Sequence, residues 1–189
     1  MAAGEAGPFC KTGGRADVAG SLASVLARLG HRVALFLPCY RAVEGGVNAL
    51  ETVPGGFKVP VGDRGVQASL AFVKAGGVEV YLVRNERFFG RDGLYQEGGR
   101  DYEDNDARFA FFSRAVLEGA KFVGFKPQVL HCHDWQAALV CAYLRTVHQS
   151  DAFYARSASV LTVHNIAYQG MFTKDALFLA GFGWADFTS

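Results

Sequence analysis

The chain has 189 residues, half of them hydrophobic and a fifth charged, a balance that builds one ordinary domain with a real core and excludes a disordered chain. A formal net charge of +1 gives no reason to expect nucleic acid, an anionic membrane surface or a polyanionic substrate, so any basic function must be local. Cys10, Cys39, Cys132 and Cys141 form no CxxC pair and sit at irregular intervals, the pattern of reduced thiols rather than of a zinc framework or a disulfide scaffold, and no apolar run reaches membrane-spanning length.

The chain opens almost directly onto Lys11-Thr12-Gly13-Gly14, where an α/β domain normally supplies a strand first, and the first ten residues carry no signal peptide. Val18, Leu22, Val25, Leu26 and Leu29 recur at helical spacing, with Arg28 in the last turn and Gly30 as the terminating residue. Residues 33–37 are a continuous apolar run ended by Pro38, which reads as a buried strand of a parallel sheet. Residues 43–65 show no clean period. Val66, Ala68, Leu70 and Phe72, then Val78, Val80 and Leu82, alternate with other residues around Ala75-Gly76-Gly77 and predict a β-hairpin. Residues 85–103 read as a long polar loop, which in a compact domain is usually functional or mobile. A helix is expected from Asp104 or Asn105, buried through Phe109, Phe112, Val116 and Ala120 and ended by Lys126-Pro127. A short strand at 128–130 runs into His131-Cys132-His133-Asp134-Trp135. A further helix turns Leu139, Tyr143 and Val147 inward, and a second buried strand at 160–163 runs into His164-Asn165. The chain stops at Gly183–Ser189 without a clear finish, so a fragment is expected. Helices alternating with apolar strands indicate an open parallel sheet covered on both faces, with ligands beyond the carboxyl ends of its strands.

Four constellations could carry chemistry. Lys11, Gly13 and Gly14 at a helix start suit a diphosphate, although Gly-Gly before a helix is also an ordinary turn; the spacing is neither a P-loop nor GxGxxG, which argues against a nucleotide-binding oxidoreductase. His131, His133 and Asp134 suggest metal ligands, but the two histidines of an extended stretch share a face while Asp134 points away, and Asp134 also fits a helix N-cap. His164 and Asn165 leave a strand at the cleft end of the sheet, where an imidazole can donate to a sugar hydroxyl or a phosphate, or is simply a satisfied strand-end histidine. Tyr95 with Asp104 and Asn105 has the aromatic and amide groups that carbohydrate sites use, as many loops do.

In order, residues 8–14 (Pro-Phe-Cys-Lys-Thr-Gly-Gly), 131–136 (His-Cys-His-Asp-Trp-Gln) and 162–170 (Thr-Val-His-Asn-Ile-Ala-Tyr-Gln-Gly) closely resemble the bacterial glycogen synthase and plant starch synthase family, over essentially the whole chain. The resemblance implies a two-domain GT-B glycosyltransferase of Rossmann-like halves, of which residues 1–189 are the N-terminal catalytic half, truncated at both ends, with the C-terminal nucleotide-binding domain absent. It implies transfer of glucose from ADP-glucose to the non-reducing end of an α-1,4-glucan with retention, without a metal or cofactor. It places Lys11, Gly13 and Gly14 on the donor phosphates, His164 and Asp134 at the reacting centre, and Tyr95, Asn105 and Asn165 on sugar or acceptor. Partners would be ADP-glucose and glycogen, starch or a maltooligosaccharide, with no nucleic acid and no membrane, in a bacterial cytoplasm or a plastid. Arg15 stands where the family usually has leucine. The chain by itself is expected to be inactive. A non-catalytic glucan- or nucleotide-binding module and a metal-dependent hydrolase built on His131, His133 and Asp134 are the competing expectations.

Overall fold

A computed structural model describes residues 1–47 and 50–186, with the Arg15 side chain, and hence its expected effect on the loop, outside the described residues. The elements in chain order are β1 (Ala2–Ala3), α1 (Gly14–Arg28), β2 (Ala34–Pro38), α2 (Arg41–Gly46), β3 (Glu51–Thr52), β4 (Phe57–Val61), β5 (Arg64–Ala75), β6 (Val78–Arg84), α3 (Glu86–Phe89), β7 (Gln96–Glu97), β8 (Arg100–Asp101), α4 (Asn105–Phe122), β9 (Val129–His133), α5 (Asp134–Arg145), β10 (Ala158–Thr162) and α6 (Asp175–Leu179).

The apolar runs become neighbouring strands of one sheet in the order β10-β9-β1-β2-β6-β5-β3, with β4 also on β5. Pairing is parallel from β10 through β6 and antiparallel where β5 meets β6, β3 and β4. The α/β class and the β5–β6 hairpin are as expected, and the hairpin turns on Gly76 and Gly77, at φ 57° and 85°. A strand does precede the Lys11 loop. Ala2 and Ala3 are too few to show a period in the sequence, yet they sit in the middle of the sheet between β2 and β9. Between 43 and 65 the described residues include the end of α2, β3 and β4, and the 85–103 loop contains α3 and the β7–β8 hairpin.

α1 ends as expected, with Gly30 at φ 91° and the His31 N–H donating to Leu26 O at 3.1 Å. Its inward face is different. Ala16, Ala19 and Ala23 are buried, whereas Val18, Val25 and Leu29 are 48%, 38% and 70% exposed. Close approach decides the orientation: a Cβ on Gly20 would lie 2.1 Å from the Gly7 carbonyl oxygen, so only the small-residue face fits against residues 6–10. In α4 every expected apolar position is buried, along with Phe111, Ala115 and Leu117. That helix stops at Phe122, with Gly124 at φ 67° and the Phe125 N–H on Ala120 O at 2.8 Å, so a glycine terminus rather than Pro127 ends it. α5 buries Ala137, Val140, Tyr143 and Leu144; it stops at Arg145, which leaves Val147 52% exposed. β10 forms where expected but is not buried: it pairs only with β9 among the described residues, and Val160, Leu161 and Val163 are about half exposed.

The core between the sheet and α4 is aromatic. Phe36 stacks on Tyr81 at 5.1 Å, and Phe88 and Phe89 of α3 make a continuous cluster with Phe109, Phe111 and Phe112 of α4. Replacing Gly20 with alanine forces the α1–Gly7 contact apart and is expected to cost about 1–3 kcal/mol, read as a lower denaturation midpoint.

Candidate active site

Parallel sheets open a crevice where the strand order reverses. Here β1 is followed through α1 by β2 on one side, while β9 and then β10 extend the sheet on the other. The loops leaving β1 and β9 therefore diverge. β1 delivers Gly4 and Glu5, β9 delivers His133 and Asp134, and the chain beyond β10 delivers His164. These residues, with Tyr95 and Gln136, line a cavity of about 10 Å3, room for roughly one water.

Asp134 has φ +57°, a left-handed conformation that costs a non-glycine residue energy and collects at functional sites. It does not cap α5: His133 is the N-cap residue and makes no side-chain cap bond. The buried Asp134 carboxylate instead accepts the His164 N–H at 2.7 Å, which ties the end of β9 to the end of β10.

Three imidazoles stand in a row. His131 stacks on His133 at 4.4 Å, and His133 lies parallel to His164 at 5.2 Å. His133 Nδ1 and His164 Nε2 share a hydrogen bond of 2.9 Å, and His131 Nε2 meets Thr162 Oγ1 at 2.7 Å. His131 and His133 do share a face, but their nitrogens engage separate partners. Among the described residues no three His, Cys, Asp or Glu side chains converge to hold a metal ion, so the hydrolase alternative has no ligand set here. Burial first, and then the neighbouring His131 and His164 rings, push the His133 pKa down to about 3.

The Lys11 loop is held by a residue that the motifs do not flag. Glu5 is 2% exposed; its carboxylate accepts the Thr12 N–H and the Thr12 hydroxyl, the latter at 2.8 and 2.9 Å. The signal in the sequence is a lone acid within Ala2-Ala3-Gly4-Glu5-Ala6-Gly7, where nothing else is polar. Lys11 is exposed and pairs with Asp17 at 2.6 Å. Gly13 is the N-cap of α1, with no side-chain cap, and a Cβ on Gly13 or Gly14 would meet nothing within 4 Å.

Tyr95 is placed by the buried guanidinium of Arg108. Arg108 is 0% exposed and donates to Phe88 O at 2.7 Å, Leu94 O at 3.0 Å and Asn105 Oδ1 at 2.7 Å. The Asn105 amide in turn donates to Tyr95 O at 2.9 Å. Asp104 is the N-cap residue of α4, as the sequence offers, but its carboxylate makes a two-pronged pair with Arg91, at 2.7 and 2.5 Å, rather than a cap bond.

Of the sequence-derived residues, Asp134, His164 and Tyr95 meet at the small cavity. Lys11, Gly13 and Gly14 join it through Thr12 and Glu5. Asn105 stands behind Tyr95, buried, with its amide engaged by backbone and Arg108. Asn165 is exposed and its Oδ1 accepts the Ala167 N–H at 2.9 Å in a local turn. Glu5, Gln136 and Arg108 are the additions. A wider apolar cavity of about 580 Å3 lies between α4, α5 and the 169–184 segment, lined in part by Trp135, Gln169 and Gly170. Gly170, at φ 64°, rests on the Trp135 ring, where a Cβ would come within 2.5 Å, so the second and third sequence motifs pack on one another.

All 189 residues match the family model described as starch synthase catalytic domain. The chain is 50% identical over 188 residues to glycogen synthase of Elusimicrobium minutum, covering 99% of this chain and 39% of that protein. It is 43% identical to glycogen synthase 1 of Geobacter sulfurreducens, covering 100% of this chain and 38% of that one. The catalytic domain of starch synthase IV from Arabidopsis thaliana bound to ADP and acarbose superposes with a TM-score of 0.84 at 29% identity, over 96% of this chain and 36% of that one.

Because the folded-state pKa of His133 lies below that of a free imidazole, the unfolded chain binds more protons between about pH 6.5 and 3. His133 stabilises the fold fully above that window. Its contribution is lost as pH falls through the window, by up to about 1.4 kcal/mol per pH unit. Denaturation midpoints from pH 7 to pH 4 should fall, and less steeply in His133→Asn. Glu5→Ala, which leaves Thr12 unheld, is expected to lower stability by about 1–3 kcal/mol and to loosen residues 11–14 in hydrogen exchange.

Proposed function

Since the chain belongs to the starch synthase catalytic domain family, we propose that it is the N-terminal part of an enzyme that transfers glucose from ADP-glucose to the non-reducing end of an α-1,4-glucan, with retention of configuration. The chain spans 36–39% of the length of the relatives described above, so this activity is assigned to a protein that also carries a second, nucleotide-binding domain. A bacterial cytoplasm fits the bacterial relatives, and among the described residues no helix is long and apolar enough to cross a membrane.

The observation that carries the reading is the start of α1. Two consecutive glycines face open space at an uncapped helix N-terminus, although neither has a positive φ nor a neighbour that would exclude a side chain. The fold itself does not need them to be glycine. A ligand approaching the backbone does, and helix N–H groups with Lys11 beside them suit the diphosphate of a nucleotide sugar. The Lys11–Asp17 pair is solvent-exposed and therefore weak, so Lys11 can exchange Asp17 for a phosphate at little cost. As the bond to the transferring glucose breaks, negative charge grows on the departing ADP, and positive groups already in place there stabilise it. His164 and Asp134 at the neighbouring strand ends face the glucose, and Tyr95 and Asn165 border the acceptor, with Asn105 acting through Tyr95. The ADP and acarbose bound by the Arabidopsis relative are ligands of the two classes this arrangement requires.

The test is a fusion of this chain to the remaining length of the Elusimicrobium relative. The fusion should release ADP from ADP-glucose when glycogen is present, and the 189-residue chain alone should not. Lys11→Ala should lower turnover on the order of a hundredfold. Gly13→Ala should impair donor binding while leaving the melting temperature of the chain unchanged. A folded fusion with no turnover would refute the reading, and so would a fully active Lys11→Ala variant.

A further inference from the structure

The row of imidazoles contains a residue with no role so far. His133 is 3% exposed and its Nε2 has no hydrogen-bond partner, so it is not a histidine buried merely to satisfy the core. Its Nδ1 lies 2.9 Å from His164 Nε2, with the two rings 8° from parallel. His131 stacks on a face of the same ring at 4.4 Å. The His133 ring is therefore held both on a face and at the edge that points Nδ1 at His164.

We propose that His133 is a positioning residue that fixes the ring orientation and the tautomer of His164, leaving Nδ1 of His164 to meet a ligand. Between two neutral imidazoles, a contact of 2.9 Å between nitrogens holds one proton, so the tautomer of one ring dictates that of the other. His133 is neutral under ordinary conditions, since its burial disfavours the charged form. With Nε2 of His164 engaged by His133, Nδ1 is the nitrogen of His164 left for a ligand. Asp134 completes the positioning from the backbone side through the His164 N–H. The tautomer assignment stands on this chain alone; its consequence for turnover rests on the function proposed above.

Nitrogen-15 NMR of the wild-type chain at pH 7 tests the assignment without any variant. The expected result is a single His164 tautomer, with a scalar coupling across the hydrogen bond between His164 Nε2 and His133 Nδ1. A His164 ring averaged between tautomers, or no coupling between the two rings, overturns the proposal. His133→Leu should average the His164 tautomers, whereas His133→Asn, which keeps a polar atom near the Nδ1 position, should hold one. A purely structural role would alter melting but not this pattern. In the active fusion, His133→Leu should lower kcat on the order of tenfold to a hundredfold, with KM for ADP-glucose little changed and most activity recovered in His133→Asn. An unchanged kcat with scrambled tautomers removes the link to catalysis. A wild-type fusion without turnover counts against the proposed function, and the NMR result still decides the role of His133.

Discussion

Everything at the cleft depends on a strand of two alanines. β1 sets Ala2 beside both Phe36 and Cys132, and Ala3 beside His133, so it is the seam between the β2–β6 half of the sheet and the β9–β10 half. Ala2, Ala3 and Ala6 are all essentially buried, with helices packed close by. Small side chains let the loop that follows descend between neighbours: a Cβ on Gly4 would come within 2.8 Å of the Tyr95 hydroxyl and 3.0 Å of Gln136. Without that seam, Glu5 and His133 would not reach one cavity.

The site is then built from second-rank contacts more than from the residues that face it. Glu5 fixes Thr12 and hence the glycines. Asp134 fixes the His164 backbone, and Arg108 fixes the carbonyls of Phe88 and Leu94 together with Asn105. Arg108 is the most exacting of these, because a fully buried guanidinium is tolerated only when its N–H groups are all engaged. Two backbone carbonyls, the Asn105 amide oxygen and the rings of Tyr102 and Phe109 surround it. A loop that looks long and polar in sequence is thereby made as definite as a helix.

Much of this was legible beforehand. The apolar runs, the Gly76-Gly77 hairpin, the Gly30 terminus and the buried face of α4 follow from periodicity and turn chemistry. The three motifs fall at or beside the strand ends that border the candidate site. What the sequence concealed has physical reasons. Periodicity weighs large apolar residues, so it chose the Val18–Leu29 stripe of α1, while close packing against Gly7 selected the alanines. A two-residue strand has no period. Asp134 reads as a cap from its type, yet its carboxylate engages a residue thirty positions away, and no local rule anticipates that. The same holds for Asn105, whose amide serves the loop. Glu5 and Arg108 are single charged residues whose roles emerge only once their burial is known.

β10 carries a consequence of another kind. Its outer edge has no strand beside it among the described residues, and Val160, Leu161 and Val163 expose apolar surface along it. An open edge with apolar flanks is a template for further backbone pairing. Handled in isolation, the chain is expected to self-associate along that margin, the edge of the strand that leads to His164.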